Sequence, residues 1–194
     1  MKYEAITMGI SSGGWQALNQ ILPQLPESFP IPILIVQHLA AGSDDYLART
    51  LNGKCRLKVK DADEKEPIEK GVIYLAPANY HLLVEQNKTL SLSTNEAINY
   101  ARPSIDVLFE TAADVYGPGL IGVVFTGASN DGSQGLYKIK ERGGLAIVQD
   151  PSTAESEIMP RSAIEAVDID YIVPLQEIVP CLIKLTSGQP NNRK

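Results

Sequence analysis

Cysteine and basic residues are scarce in this sequence, and their scarcity argues against several classes of protein. The 194 residues contain two cysteines, Cys55 and Cys181, which lie far apart and outside any CxxC pair, so no zinc site is predicted. Two unpaired thiols fit a reducing compartment. Lysine and arginine number 17 against 23 aspartates and glutamates, and the net charge of −6 argues against a nucleic-acid partner.

Long hydrophobic segments and aromatic residues are also few. The densest apolar stretch, residues 30–36, contains two prolines and is far shorter than a membrane span. Residues 1–4 lead directly into an apolar strand pattern and lack the features of a signal peptide. We therefore expect a cytoplasmic protein that is not inserted in a membrane. With 6% aromatic residues, the core must consist mainly of aliphatic side chains.

Apolar runs alternate with helix-like patterns over most of the chain. The runs predict strands at residues 5–9, 31–36, 57–60, 120–125, 145–148 and 171–173. Helical spacing of apolar residues follows them, at residues 18–25, 43–51, 104–115 and 132–142 and in segments after Pro160 and Leu175. The alternation predicts an α/β fold with a doubly wound, mostly parallel sheet flanked by helices.

The middle of the chain has a different pattern. A strand-like run over residues 71–77 ends in a proline, and apolar and polar residues then alternate on both sides of Asn87 and Lys88. We interpret residues 71–93 as an antiparallel β-hairpin elaboration. Without a linker or repeat, residues 1–187 are expected to form a single domain, and the polar residues 188–194 a disordered tail.

Three loops that follow predicted strands carry reactive side chains. Residues 9–14 (Gly-Ile-Ser-Ser-Gly-Gly) fit the spacing G-x-S-x-G, which places Ser11 on a sharp strand-to-helix turn. His38 ends the second apolar run, and Asp131 lies in the loop after the strongest strand. Because ligands bind beyond the carboxyl ends of parallel strands, all three side chains should face the same edge of the sheet.

Each of these residues also has a purely structural interpretation. Ser11 or Ser12 could cap the N-terminus of the first helix, and Asp131 could cap the helix that it precedes. His38 could be a hydrogen-bonded histidine of the core. Asn130 is a rival for the role of Asp131. The functional interpretation therefore depends on the three residues occurring together.

Together they have the chemistry of a serine hydrolase. A serine hydroxyl is a weak nucleophile until a base takes its proton, and imidazole, with an ordinary pKa of about 6.5, can do so near neutral pH. A carboxylate then holds the imidazole tautomer and balances the positive charge. The sequence thus predicts Ser11 as nucleophile, His38 as base and Asp131 as its orienting group. The order Ser, His, Asp differs from that of α/β-hydrolases, in which histidine comes last.

Several further polar groups could serve the same site. The backbone N–H groups of Ser12 and Gly13, near the start of the first helix, are candidates for an oxyanion hole. His81 opens the predicted hairpin and could line the site, although a surface or turn histidine is the simpler interpretation. Arg102 and Arg161 each neighbour a proline and could steer an acidic substrate, or they could be solvated arginines.

From about residue 3 to residue 185, the sequence resembles the catalytic domain of CheB-type chemoreceptor glutamate methylesterases. Several separate motifs occur in the right order. They are Gly9-Ile-Ser-Ser-Gly-Gly14, Gln37-His38, Tyr74-Leu-Ala-Pro77 with His81, Arg102-Pro-Ser-Ile-Asp-Val-Leu-Phe109, Phe125-Thr-Gly127 with Asn130-Asp-Gly132, and Met159-Pro-Arg161.

The resemblance implies an enzyme that hydrolyses γ-glutamyl methyl esters on the cytoplasmic helices of chemoreceptors, or on another methylated protein, and releases methanol. Some members also deamidate receptor glutamines. The family's triad maps onto Ser11, His38 and Asp131, and the fold that it implies is the doubly wound α/β sheet predicted above. The mechanism needs neither a metal nor an organic cofactor.

The sequence departs from the family pattern at two places near the predicted site. The loop before the aspartate usually reads Gly-Met-Gly, whereas here it is Gly127-Ala128-Ser129, which changes the surroundings of the oxyanion. The Met-Pro pair, here Met159-Pro160, usually follows a glycine, but Ile158 stands in that position. Ala128 and Met159 are therefore included among the candidate oxyanion and substrate residues.

Family members usually also carry an N-terminal receiver domain whose phosphorylation relieves inhibition. This sequence begins a few residues before its first strand. We therefore expect a free-standing protein whose activity does not depend on phosphorylation. Two alternatives to the methylesterase remain: an esterase for another substrate with the same triad, and a non-catalytic regulatory module of the same fold.

Overall fold

The computed structural model describes residues 3–38 and 46–187. The strands, in chain order, are β1 (Ala5–Ile10), β2 (Ile33–Gln37), β3 (Lys58–Asp61), β4 (Val72–Leu75), β5 (His81–Val84), β6 (Leu90–Ser93), β7 (Leu120–Val124), β8 (Leu145–Gln149) and β9 (Tyr171–Val173). The helices are α1 (Gly14–Ile21), α2 (Tyr46–Asn52), α3 (Ile105–Tyr116), α4 (Ser133–Glu141), α5 (Ile158–Ala166) and α6 (Leu175–Thr186).

Seven of the strands form one sheet in the order β3-β4-β2-β1-β7-β8-β9. Every neighbouring pair in this sheet is parallel. Outward from β1 the strands are β2, β4 and β3 on one side and β7, β8 and β9 on the other, so the chain builds the sheet in both directions from β1 and the sheet is doubly wound. The predicted fold class is thereby confirmed, including the helices on its two faces.

The central strands are apolar along their whole length because helices cover both faces of the sheet. Every residue of β1, β2, β7 and β8 is buried, as expected for parallel strands that have no solvent-facing side. One core lies between the sheet and helices α1, α2 and α6. The second core, on the opposite face, contains apolar residues of α3, α4 and α5.

The predicted hairpin is present, but it begins later than residue 71. Strands β5 and β6 pair antiparallel, with His81 opposite Ser93, and form a separate two-stranded sheet. Strand β4 instead belongs to the main sheet and pairs parallel with both β2 and β3. The sequence Val-Ile-Tyr-Leu of β4 is fully buried and has no alternation, which is the pattern of a central parallel strand.

Some predicted boundaries also shift. Helix α5 begins at Ile158, ahead of Pro160, because a proline is tolerated in the first turn, where its missing N–H would have no partner. Helix α2 is described from Tyr46 onward, so residues 43–45 of the predicted helix lie outside the described residues. The predicted tail, residues 188–194, also lies outside them. Among the described helices none is both long and apolar enough to cross a membrane.

The order of the strands determines where the loops meet. Strand β1 lies between β2 and β7, and the direction in which the chain adds strands to the sheet reverses at this point, although the strands stay parallel. In a doubly wound sheet a crevice opens here, outside the carboxyl ends of the strands. The loops that follow β1, β2 and β7 therefore converge at one edge of the sheet.

Helices α3 and α4 approach closely at Gly135, and we predict that Gly135→Ala destabilises the protein. An ideal Cβ at this position would lie 2.5 Å from Phe109 Cβ and 3.1 Å from the Asp106 backbone. Overpacking of this kind costs about 1–3 kcal/mol, which exceeds the roughly 1 kcal/mol that alanine gains over glycine in a helix. Urea unfolding should therefore show a lower free energy of unfolding for the variant.

Gly53→Ala is the matched control, since its nearest contact would be an ordinary 3.6 Å to Thr50 O. Equal unfolding midpoints for Gly135→Ala and the unsubstituted protein would contradict the close approach of α3 and α4.

Candidate active site

The three predicted residues come together at the carboxyl edge of the sheet. Ser11 directly follows β1, His38 directly follows β2, and Asp131 lies in the loop between β7 and α4. Ser11 Oγ lies 3.2 Å from His38 Nδ1, and His38 Nε2 lies 2.7 Å from Asp131 Oδ2. The three side chains therefore form one continuous chain of hydrogen bonds.

This chain of hydrogen bonds has a defined polarity when His38 is neutral. Asp131 is fully buried and its pKa is lowered, so its carboxylate accepts the hydrogen from His38 Nε2. The unprotonated Nδ1 then accepts the hydrogen of the Ser11 hydroxyl. Ser11 and His38 are partly exposed whereas Asp131 is fully buried, so the serine end of this series of hydrogen bonds meets solvent and the aspartate end does not. Such an arrangement can remove a proton from Ser11 when a ligand approaches from the open side.

Backbone hydrogen bonds continue the sheet beyond the strand ends and fix Ser11 and His38. Ser11 N–H donates to Thr126 O, and His38 N–H donates to Ile10 O, both at 3.0 Å. The Gln37 side chain adds a link, because its Nε2 donates to both Ser11 O and His38 O at 3.0 Å. Nucleophile and base are thus held by the geometry of the parallel sheet.

Asp131 is held by the N-terminus of helix α3. Its Oδ1 accepts hydrogen bonds from Ser104 Oγ at 2.9 Å and from Asp106 N–H at 3.1 Å. Its Oδ2 accepts from Ile105 N–H at 2.7 Å, in addition to His38. The alternative that Asp131 caps its own following helix is therefore wrong: the N-cap of α4 is Gly132, which makes no side-chain cap hydrogen bond.

Burial and hydrogen bonding act in opposite directions on the pKa of Asp131. Burial favours the neutral acid and raises the pKa, whereas the hydrogen bonds from His38, Ile105 N–H and Asp106 N–H favour the carboxylate. The hydrogen bonds outweigh burial, and the pKa is lowered from its ordinary value. The positive end of the α3 dipole favours the same charged form. Asp131 is therefore a carboxylate at neutral pH.

The first helix begins without a serine cap. The N-cap of α1 is Gly13, with a φ of +79° that favours glycine, and no side chain bonds to it. Among the described residues, no backbone acceptor is present for the N–H groups of Ser12, Gly13 and Ala128. These groups lie in the two loops next to Ser11 and at the positive end of a helix dipole, so they are available to an oxyanion.

Gly127 and Met159 pack beside the loop that carries Ser11. A Cβ added to Gly127 would lie 3.0 Å from Ser11 Cβ and 2.6 Å from Met159 Sδ. Met159 itself is fully buried, and its N–H donates to Gly127 O at 2.9 Å. Met159 thus packs against the Gly127 loop. Ala128 is exposed at the surface of that loop.

The structure places His81 in a structural position, not at the surface. It is 2% exposed, its Nε2 donates to Glu96 O at 3.0 Å, and its Nδ1 accepts from Ser104 N–H at 3.2 Å. Both ring nitrogens are therefore occupied within the protein. His81 fixes Ser104, which in turn donates to Asp131.

The two arginines also make internal contacts. Arg102 donates from Nη1 to Thr94 O and Asn95 O and from Nη2 to Asn79 Oδ1, so it ties the connection between β6 and α3 to the connection between β4 and β5. Arg161 pairs at 2.9 Å with Glu157, the N-cap residue of its own helix. Asn130, the rival of Asp131, is exposed, and its carbonyl accepts from Ser133 N–H.

A pocket of about 450 Å³ opens beside His38. Its other walls come from Asn79, Tyr100, Arg102 and Pro103. Asn79 and Tyr100 were not predicted from the sequence, in which the only signal is their place in polar connections beside strands. His38 forms part of the wall, so the pocket adjoins the triad. Within residues 3–38 and 46–187, no group of three His, Cys, Asp or Glu side chains is placed to hold a metal ion.

With this geometry established, comparison with known proteins gives a consistent result. The CheB methylesterase family model matches residues 6–182. In the crystal structure of the Thermotoga maritima CheB methylesterase catalytic domain, the similar chain is 36% identical, with a TM-score of 0.90. The match covers 95% of this chain and 100% of that one.

Relatives of two lengths are found. A Leptospira interrogans protein, to which protein-glutamate methylesterase and protein-glutamine glutaminase activities have been assigned, is 55% identical over 193 residues and is covered completely. The protein-glutamate methylesterase/protein-glutamine glutaminase of Moorella thermoacetica is 40% identical over 95% of this chain. This chain spans 45% of the Moorella protein, and about half of several further relatives.

We predict that Asp131→Asn lowers both activity and stability. The carboxylate accepts four hydrogen bonds with two oxygens, and an amide offers one acceptor oxygen, so at least one donor loses its partner. Turnover should fall by roughly 10⁴-fold, as expected when the base loses its orienting carboxylate. The free energy of unfolding should fall by about 1–3 kcal/mol for the unpaired buried donor.

The stability difference should depend on pH. Because the pKa of Asp131 is lowered in the folded state, its stabilisation is present above the ordinary value of 3.8 and is lost as pH falls through the folded value. Urea unfolding of both proteins at neutral and acidic pH checks this. A difference that grows in acid would contradict the assigned charge state.

Proposed function

The chain belongs to the CheB methylesterase family, and from this premise we propose that it hydrolyses γ-methyl esters of glutamate with Ser11, His38 and Asp131 as its catalytic triad. The observation that carries the proposal is the continuous hydrogen-bond chain from Ser11 Oγ through His38 to the buried Asp131 carboxylate. A structural module with no catalytic role would have no need to keep such a chain open to solvent at the serine end.

The first step forms an acyl-enzyme. Ser11 Oγ attacks the ester carbonyl while His38 Nδ1, 3.2 Å away, takes the hydroxyl proton. Asp131, 2.7 Å from Nε2, stabilises the imidazolium that results. When the tetrahedral intermediate collapses, the carbon–oxygen bond to the methoxy group breaks, and His38 gives its proton to the departing methanol.

The oxyanion of the intermediate forms next to N–H groups that have no acceptor in the described protein. We assign Ser12 and Gly13 as donors, because they lead into the N-terminus of α1, and Ala128 as a further candidate. Water then attacks the acyl-enzyme, with His38 acting as base, and releases glutamate and free Ser11. If the leaving group is ammonia, the same steps convert glutamine to glutamate.

The surroundings of the site support a protein substrate. Several aromatic side chains near the carboxyl edge are exposed, among them Trp15, Tyr46 and Tyr100. The rings of Trp15 and Tyr46 lie 6.0 Å apart, and Trp15 is in the first turn of α1, directly after the loop that carries Ser11. We propose methylated chemoreceptor helices as the substrate and hence the cytoplasm as the location.

Substitution of Ser11 tests the nucleophile. Ser11→Ala should lower methanol release from a methylated receptor fragment by about 10⁴-fold or more. The fold should persist, because the serine backbone bonds to Thr126 and Gln37 do not involve the hydroxyl. A fluorophosphonate probe should label the unsubstituted protein and leave Ser11→Ala unlabelled.

Ser12→Ala is the matched control, since Ser12 is exposed and its hydroxyl makes no hydrogen bond in the described structure. It should keep most of the activity and react with the probe. Loss of activity in Ser12→Ala together with full activity in Ser11→Ala would overturn the assignment. A labelled Ser11 without methanol release would keep the nucleophile and reject the receptor substrate.

A further inference from the structure

Asp106 is a buried acidic residue that the triad chemistry does not use. It is 4% exposed and occupies the first turn of α3. Its Oδ1 accepts hydrogen bonds from Gly132 N–H at 2.9 Å and Gly135 N–H at 2.7 Å. Both donors belong to the start of α4, and Gly132 directly follows Asp131. Asp106 therefore caps the helix that begins immediately after the triad carboxylate.

The two aspartates cap each other's helices. Asp131 precedes α4 and accepts N–H groups from the start of α3, whereas Asp106 lies in α3 and accepts N–H groups from the start of α4. Asp106 N–H itself donates to Asp131 Oδ1 at 3.1 Å. These reciprocal hydrogen bonds hold the N-termini of α3 and α4 together, next to the hydrogen bond between Asp131 and His38.

We propose that Asp106 is a positioning residue for the triad, which holds the Asp131 carboxylate in register with His38 by fixing the first turn of α4. This inference rests on the proposed role of Asp131. The physical basis is the direct connection between Asp106 and Asp131. Gly132 is covalently joined to Asp131, and its N–H loses its hydrogen-bond partner if the Asp106 carboxylate is removed. A displacement of about 1 Å at a catalytic group can cost 10²-fold in rate.

The charge state of Asp106 suits this role. Burial, together with the neighbouring Asp131 carboxylate, raises the pKa of Asp106 to about 7, although the hydrogen bonds from Gly135 N–H and Gly132 N–H act to lower it. The remaining polar contact is Asn99 Nδ2, 3.0 Å from Asp106 Oδ2. The other charged residues of the two helices lie farther along them, at Glu110 and Asp114 on α3 and at Lys138, Lys140 and Glu141 on α4. Below pH 7 a neutral asparagine should therefore replace Asp106 with little electrostatic change.

The variants Asp106→Ala and Asp106→Asn test whether Asp106 positions the triad or has only a structural role. Asp106→Ala removes the hydrogen bonds that the carboxylate accepts from Gly132 and Gly135. We expect kcat to fall by about 10–100-fold and KM to change less than about twofold, because the change disturbs the reacting groups and not the docking surface. The acidic limb of the pH profile of kcat/KM should move to lower pH, because a misplaced Asp131 stabilises the imidazolium less. Asparagine keeps an oxygen that accepts from Gly132 and Gly135, so it should restore kcat to within about threefold and return the acidic limb to its original position.

Asp170→Ala is the matched control. Asp170 also accepts a backbone N–H, from Ala146 at 2.8 Å, together with Lys140 Nζ, but at the start of β8, remote from the carboxyl edge. It should lower the melting temperature and leave kcat and the pH profile unchanged. If Asp106→Ala behaves in the same way as this control, Asp106 is merely structural and the proposal is wrong.

Asn99→Gly keeps the test decisive if Asp106→Ala does not fold. Asn99 is exposed and has a φ of +52°, which glycine adopts readily, so the variant loses the bond to Asp106 without backbone strain. The acidic limb should shift in the same direction by a smaller amount. An unchanged limb in Asn99→Gly, or an Asp106→Asn as slow as Asp106→Ala, would overturn the proposal. Fluorophosphonate labelling of Ser11 in the same variants distinguishes this failure from a failure of the proposed function.

Discussion

The arrangement of the site depends on one buried carboxylate at the junction of two helix N-termini. Asp131 accepts hydrogen bonds from the backbone of Ile105 and Asp106, from Ser104 Oγ and from His38. An isolated carboxylate in such a place would be costly, because burial disfavours its charge. Here four donors and a helix dipole offset that cost, and the same contacts that stabilise the charge also determine where it lies.

The parallel sheet supplies the other half of the geometry. Because β1 lies between β2 and β7, the residues that follow these strands are brought within hydrogen-bond reach. Backbone hydrogen bonds such as Ser11 N–H to Thr126 O extend the sheet into the loops. Ser11 and His38 are therefore held as firmly as the strands that they follow. Rigid support of this kind is what a triad requires, since its members must keep their distances while the substrate reacts.

Sequence reasoning recovered the fold class and brought forward Ser11, His38 and Asp131, because chain order and strand polarity dictate which loops share an edge. It could not predict the contacts that depend on packing between helices. The mutual capping by Asp106 and Asp131 joins residues 25 positions apart, and nothing local distinguishes Asp106 from any acid in a first helical turn. His81 was misjudged for the same reason: its burial and its two partners arise where the hairpin meets α3. Strand β4 was assigned to the hairpin because its neighbours in the sheet are distant or follow irregular connections.

The most direct test of this account is the protonation state of the His38 ring, observed by ¹H and ¹⁵N NMR. The chain has two histidines, so the His38 signals can be assigned by their loss in His38→Gln. We predict that neutral His38 carries its proton on Nε2, in a slowly exchanging hydrogen bond to Asp131, and that Nδ1, which faces Ser11, is unprotonated. A proton on Nδ1, or rapid exchange between the two tautomers, would contradict it.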